Sequence, residues 1–268
     1  MLKFLGLIIL MLTACTTVEG SDPGSSESVA QARQALYQGP ALIGVPMKFT
    51  IGESWNLHEV TFPKLFALDE TEVTVAHYAD CVTAEACTTP STDTDCTWGV
   101  VGLENHPVNC VTYYQAVDYC AWAGKRLPTK EEWELAARYP DGRTYPWGSD
   151  NTGYETKTNT NRLDDGYAYT APVGSYPGGN SALGLKDMAG NVREWTQSSD
   201  HYVGLDPCTN CPEGETCVNS CEYGNPNYRF YKGGSYGEGL AYSRLTYLNY
   251  GTASTGHPFV GFRCAVTQ

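Results

Sequence analysis

The sequence predicts an α+β domain that is irregular, rich in loops and low in regular structure. Three short segments have apolar residues at helical spacing. The chain beyond them is mostly Gly, Asn, Tyr and Ser, with short runs suited to strands. A domain with so few long elements needs staples, and eleven cysteines are available to form disulfides. The 268 residues, 41% of them hydrophobic, suffice for one sizeable core or two small ones.

The start of the chain has the pattern of an export signal. Lys3 precedes the apolar run FLGLIILML, and small residues come directly before Cys15. This order predicts a signal peptide over residues 1–14 and a lipoprotein acylated at Cys15. The alternative is an ordinary signal peptide with a chance cysteine. Thr16, rather than Asp, follows the cysteine and favours the outer membrane, so we expect a lipid-anchored, extracytoplasmic protein on its periplasmic or surface face.

Charge and composition narrow the choice of partners. Seventeen Lys and Arg against 30 Asp and Glu give a net charge of −13, which argues against nucleic acid and against anionic membrane surfaces. We therefore expect membrane contact through the lipid anchor alone. Residues 15–44 form a polar tether, and one domain is predicted over residues 45–268.

Three amphipathic helices are expected in the first half of the domain. The first follows Thr74, and the second begins at Tyr113. The third opens at PTKEEWELAAR, where Thr129 and Glu132 form a capping box, and it ends at Pro140. The apolar stripes of the first two consist of Val75, Tyr78, Ala79 and Val82, and of Tyr113, Ala116, Val117, Cys120 and Ala121.

The last segment, VGFRCAV, is expected to form a strand. Its apolar residues alternate onto one face, namely Val260, Phe262, Cys264 and Val266.

The cysteine count agrees with export. Without Cys15, ten cysteines remain, and an even number in an exported chain predicts up to five disulfides. Four of them have a spacing that would suit zinc in a cytosolic protein, whereas in an exported chain two local disulfides of undetermined pairing are favoured. These four are Cys208, Cys211, Cys217 and Cys221.

Several motifs occur in a distinctive order. They include HPVNCVTYYQAVDYCAWAGKRLPTKEEWELAAR, GLKDMAGNVREWT, KGGSY and GFRCAV. Together they resemble the formylglycine-generating enzyme (sulfatase-modifying factor) family across nearly all of residues 45–266. The resemblance implies an irregular α+β fold related to C-type lectins. It also implies a disulfide between Cys120 and Cys264, and we expect Cys81–Cys87 and Cys96–Cys110 as further pairs.

The resemblance also implies a site, which this sequence alters. Active members bind copper through two cysteines and oxidise a substrate cysteine to formylglycine. The matching positions here are Glu238 and Ser243. Because Cu(I) selects soft thiolates, copper is not expected at this loop. The family commonly has an aromatic residue where Arg193 stands. The candidate ligand cleft comprises Ser235, Tyr236, Glu238, Ser243 and Arg193.

Two structural calcium sites are implied by the same resemblance. The first uses Asp187, Gly190, Val192 and Glu194, and the second uses Asn159, Thr160, Asp165 and Tyr167. Carboxylate and carbonyl oxygens suit Ca²⁺. The alternative for both is a tight acidic turn without a metal.

Two hypotheses of function follow. The first is a lipid-anchored binding or accessory module for an unidentified protein, peptide or glycan. The second is an oxidoreductase of the same family with altered chemistry, in which Glu238 is a general base or a ligand anchor rather than an exposed loop carboxylate. The tyrosines around it are either contact surface or packing. They are Tyr236, Tyr242, Tyr247 and Tyr250.

Overall fold

The computed structural model describes residues 47–53, 57–161, 166–200 and 225–267. The predicted signal peptide, tether and acylated cysteine lie outside the described residues. So do Asp165 and the four closely spaced cysteines, Cys208, Cys211, Cys217 and Cys221. In the part of the chain that is described, no helix is both long and apolar enough to cross a bilayer.

Eight short strands form three sheets. They are β1 Met47–Ile51, β2 His58–Phe62, β3 Phe66–Leu68, β4 Arg193–Asp200, β5 Asn225–Lys232, β6 Asn249–Thr252, β7 Val260–Gly261 and β8 Ala265–Thr267. β1 and β2 form a hairpin, β3 pairs with β8, and the largest sheet has the order β6-β5-β4-β7. β7 is parallel to β4, whereas the other pairs are antiparallel.

The three predicted helices are confirmed. They are α1 Val75–Thr83, α2 Tyr113–Trp122 and α3 Lys130–Arg138. Each begins after an extended threonine whose hydroxyl accepts a backbone N–H of the first turn, which satisfies one otherwise unpaired donor. In α3 the capping box between Thr129 and Glu132 is present, as predicted.

The buried apolar residues form two clusters. One packs α1 and α2 against Trp195, Val260 and Phe262. The other packs α3 against the first three strands and Met188. All three predicted disulfides are confirmed, namely Cys81–Cys87, Cys96–Cys110 and Cys120–Cys264. The last joins residues 144 apart in sequence and links α2 to the C-terminal segment.

The C-terminal segment differs from the prediction. Instead of one alternating strand, β7 and β8 belong to different sheets, and the residues between them cross from one sheet to the other. Phe262, Arg263 and Cys264 are all buried, so the faces do not alternate. The reason is Arg263, which points inward because its guanidinium pairs with the buried carboxylate of Glu194.

Candidate functional site

A tight backbone turn positions the loop of residues 233–243. Gly233 and Gly234 have φ values of +100° and +71°, a region that side chains disfavour. A Cβ on Gly234 would lie 2.3 Å from the hydroxyl oxygen of Ser243, so glycine is needed for the two ends of the loop to meet. The carbonyl of Gly233 also accepts the N–H of Gly190 at 2.7 Å.

The centre of the loop holds an ion pair. The Arg193 guanidinium at the start of β4 donates to the Glu238 carboxylate, and both side chains are largely buried, 11% and 16% exposed. The Ser235 hydroxyl donates to the other oxygen of Glu238 at 3.0 Å. Arg193 also lies over the Tyr231 ring, 5.1 Å from its centroid. Two of the three residues that depart from the family pattern, Arg193 and Glu238, therefore bind each other.

Ser243 and Tyr236 complete the predicted cleft. Ser243 is fully buried, and its hydroxyl has no hydrogen-bond partner among the described residues. The buried Tyr236 ring lies between Tyr169 and Phe259, with centroid distances of 6.1 and 5.0 Å. All five predicted cleft residues thus belong to one loop and the strand beside it.

Two residues of this site, His257 and Phe259, were not predicted. The Arg193 N–H donates to the Phe259 carbonyl at 2.8 Å, which brings residues 257–259 alongside the ion pair. Partial burial lowers the pKa of His257, as does the charge of Arg193, while Glu238 opposes them. The imidazole is therefore neutral near pH 7. The signal in the sequence was their position within the four residues before GFRCA, one of the motifs that carry the family resemblance.

The remaining tyrosines form an outer surface. Tyr242 and Tyr247 are in edge contact at 5.2 Å. The exposed Tyr250 ring of β6 packs edge-on against Tyr228 at 5.6 Å. Of the four tyrosines considered from the sequence, Tyr236 is thus internal packing, and the others offer amphipathic contact area.

The first predicted calcium set spans the turn before β4 and the second residue of that strand. Asp187 and Gly190 have φ values of +55° and +82°, and the turn leads through Val192 to Glu194. The Glu194 carboxylate already accepts three hydrogen bonds. The Arg263 guanidinium supplies two at 2.7 and 2.8 Å, and the indole of Trp133 supplies one at 2.8 Å. Glu194 is therefore engaged by protein donors.

The second set lies against the first. The Asn191 N–H donates to the Asn159 carbonyl at 2.9 Å. Asn159 and Thr160 are buried, and the side-chain oxygen of Asn159 accepts no hydrogen bond from a described residue. Tyr167 is 37% exposed, and Asp165 lies outside the described residues. An orphaned amide oxygen suits a hard cation, so the described donors fit calcium.

The described cysteines offer no thiolate to the loop. All six are in disulfides. Among the described residues there is also no cluster of three or more His, Cys, Asp or Glu side chains that could hold a metal ion.

The chain is similar to a known domain family and to proteins within it. The family model described as the sulfatase-modifying factor enzyme 1-like domain matches residues 28–268. Inactive C-alpha-formylglycine-generating enzyme 2 of Bos taurus is 35% identical over 168 residues, covering 59% of this chain and 50% of that protein. Formylglycine-generating enzyme of Streptomyces coelicolor is 37% identical over 182 residues, covering 62% and 54%. The chain thus spans about half the length of these relatives.

A solved structure supports the same assignment. PvdO from Pseudomonas aeruginosa superposes with a TM-score of 0.68 and 25% identity, covering 87% of this chain and 100% of that one. The predicted irregular, disulfide-stapled α+β fold is confirmed. The chain belongs to the sulfatase-modifying factor (formylglycine-generating enzyme) domain family.

Proposed function

We propose that this protein is a lipid-anchored, extracytoplasmic binding or accessory module that uses the family scaffold without thiolate–copper oxidation. The proposal rests on one observation, the ion pair between Arg193 and Glu238 at the loop where active relatives hold copper. A carboxylate that accepts from a guanidinium and a hydroxyl is a hard, occupied acceptor, and it does not select Cu(I).

The cleft chemistry supports a polar organic ligand, namely a peptide or a glycan. Arg193 and Glu238 place one positive and one negative charge in a largely buried site. A ligand that carries either charge, or a hydroxyl group, can take the place of one partner of this ion pair. Tyr169, 49% exposed, and the partly buried Phe259 supply apolar contact beside these polar groups.

The predicted export signal supports the proposed localisation. An acyl anchor at Cys15, followed by the polar tether of residues 15–44, would hold the domain at the outer membrane. Mass spectrometry of the native protein tests this part, since it requires a mature chain that begins with an acylated Cys15.

The binding proposal is tested with the full-length chain on peptide and oligosaccharide arrays, with Glu238→Gln as the variant. This change removes one charge at nearly constant shape, and we expect it to weaken binding by about tenfold, on the order of the 1.4 kcal/mol of a charge-assisted hydrogen bond. Glu59→Gln is the matched control, because Glu59 forms an exposed pair with Lys48 and should leave binding unchanged. Retained binding in Glu238→Gln would contradict the proposal.

The alternative is an oxidoreductase with altered chemistry, and one observation favours it. His257 interacts electrostatically with both Glu238 and Arg193, so a neutral imidazole and a carboxylate are available for proton transfer in one cleft. This reading predicts oxidation of a cysteine peptide with dioxygen as the electron acceptor, with formylglycine detected by mass spectrometry and lost in His257→Gln or when dioxygen is withheld. The binding proposal predicts no conversion by the wild-type chain.

A further inference from the structure

A small cavity lies beside the buried ion pair of Lys232 and Glu134, and its described lining residues are not those of the cleft. Its walls come from α3, from the hairpin of β1 and β2, from β5 and from residues 246–248. The side chains of Lys232 and Glu134 are 1% and 4% exposed, whereas His58, also in the lining, is exposed. The cavity therefore runs from the surface to the buried pair.

The cavity has room for a small guest. About 30 Å³ is open to water-sized groups. One such group takes roughly 10–15 Å³, so two or three fit.

The Lys232 ammonium has an unused hydrogen-bond donor. Among the described residues it donates to one acceptor, a Glu134 oxygen at 2.8 Å. An ammonium group carries three N–H donors. The Trp133 ring, whose centroid is 5.8 Å from the nitrogen, can take one of the other two. Because a buried donor without an acceptor is costly, we expect the remaining donor to meet an acceptor in the cavity.

The charges around the cavity leave a positive excess. Glu134 accepts from both Lys232 and Arg138, at 2.8 and 2.7 Å. Lys130, which also lines the cavity, pairs with Glu131. Three cations thus face two carboxylates. Burial lowers the pKa of Lys232, the Glu134 carboxylate opposes this, and the charge of Lys130 adds to it. One further negative charge beside Lys232 would balance the cluster.

We propose that this cavity binds one small monovalent anion, a chloride ion or the carboxylate of a small organic acid. Lys232 supplies a buried charge and a donor, Lys130 a second charge, and Thr246 in the lining has a hydroxyl donor. Ile51 and Leu248 make the rest of the wall apolar, which strengthens the attraction between the cations and an anion. The size of the cavity excludes a nucleotide or a sugar phosphate.

The anion would bind at the point where the cleft loop begins. Lys232 ends β5 and directly precedes the turn at Gly233 and Gly234. An anion that binds the folded chain alone stabilises it by the linkage of binding to folding. It would therefore help to fix the start of the loop.

The test is chloride binding by the full-length chain, followed by the broadening of the chloride NMR signal. Ionic strength is kept constant with sodium gluconate, whose anion is too large for the cavity. We expect saturable broadening with the wild-type chain. Its reversal by acetate would identify a site that takes carboxylates, and its persistence would identify a site for chloride.

Two variants act on the cavity in different ways. Lys232→Met removes the buried charge and should weaken chloride binding by at least about tenfold, as expected for the loss of a hydrogen bond to a charged group. Thr246→Leu keeps every charge and fills part of the cavity, so it should weaken binding as well. It decides the question alone if Lys232→Met does not fold.

Lys125→Met is the matched control. Lys125 is also a largely buried lysine, paired with Asp69 at 2.6 Å, but it is not among the described lining residues, so chloride binding should be unchanged. The proposal is overturned if the wild-type chain gives no saturable broadening, in which case the cavity holds water alone. It is equally overturned if the folded variants at Lys232 and Thr246 retain the wild-type broadening, because chloride then binds elsewhere as an adventitious ion only.

Discussion

Two ion pairs stand at the two ends of the segment 232–238, and they differ in how far water reaches them. The Lys232 ammonium lies 2.8 Å from a Glu134 oxygen, with the two side chains 1% and 4% exposed. The Arg193 and Glu238 side chains are 11% and 16% exposed. The first pair is closed to solvent, whereas the second keeps partial contact with water.

The partners of the two pairs explain the difference. Glu134 also accepts from Arg138 at 2.7 Å and from the Gly52 N–H at 2.6 Å, so α3, β5 and the residue that follows β1 all meet at one carboxylate. Among the described residues, the Glu238 carboxylate accepts from the Ser235 hydroxyl and from Arg193. We infer that the closed pair fixes the start of the loop, whereas the open pair is available to a ligand.

The largest expected loss of stability comes from removing one partner of the closed pair. Glu134→Leu leaves the Lys232 ammonium buried without its counter-charge, which should lower the free energy of unfolding by about 3–5 kcal/mol. Urea denaturation measures it. The double variant Glu134→Leu/Lys232→Met leaves no buried charge at position 232 and should recover part of the lost free energy of unfolding. A loss below about 1 kcal/mol in the single variant would show that the pair does not hold the loop.

A smaller loss of stability should appear on acidification. Burial alone would raise the pKa of Glu134, but Lys232, Gly52 and Arg138 together hold it below its ordinary value of 4.5. The carboxylate therefore contributes stability above pH 4.5, and the contribution is lost as pH falls through the folded-state pKa. The stability difference between the wild type and Glu134→Leu/Lys232→Met should narrow below pH 4.5. A difference that stays constant or widens there would contradict this sign.

The smallest effect on stability is expected at the open pair. Arg193→Met combined with Glu238→Gln removes both charges from a site that water partly reaches, so the free energy of unfolding should change by about 1 kcal/mol or less. Ligand binding to the cleft should be lost at the same time. Urea denaturation measures the change in stability, and the array measures the change in ligand binding. A loss comparable to that of Glu134→Leu would mean that the open pair is structural as well.

Local patterns in the sequence accounted for much of the fold. The helices, the threonine caps and the cysteine on the buried stripe of α2 depend on residues within one or two turns, so spacing alone reveals them. The family motifs located the site frame, including the Gly233–Gly234 turn.

Contacts between distant segments were not predictable in this way. Arg193 and Glu238 are 45 residues apart, and the sequence marked each as a departure without indicating that they pair. Arg263 resembles a solvent-facing residue in an alternating strand, yet Glu194, 69 residues earlier, draws it into the interior.

Copper affinity of the loop tests the central claim most directly, namely that an ion pair stands where active relatives use thiolates. Cu(I) is titrated against a competing chelator into the oxidised full-length wild type and into Glu238→Cys/Ser243→Cys, which restores two thiols five residues apart. We expect no copper bound at the wild-type loop and one additional Cu(I) bound tightly by the double variant. Tight Cu(I) binding by the wild type that is abolished in Glu238→Gln would contradict the account.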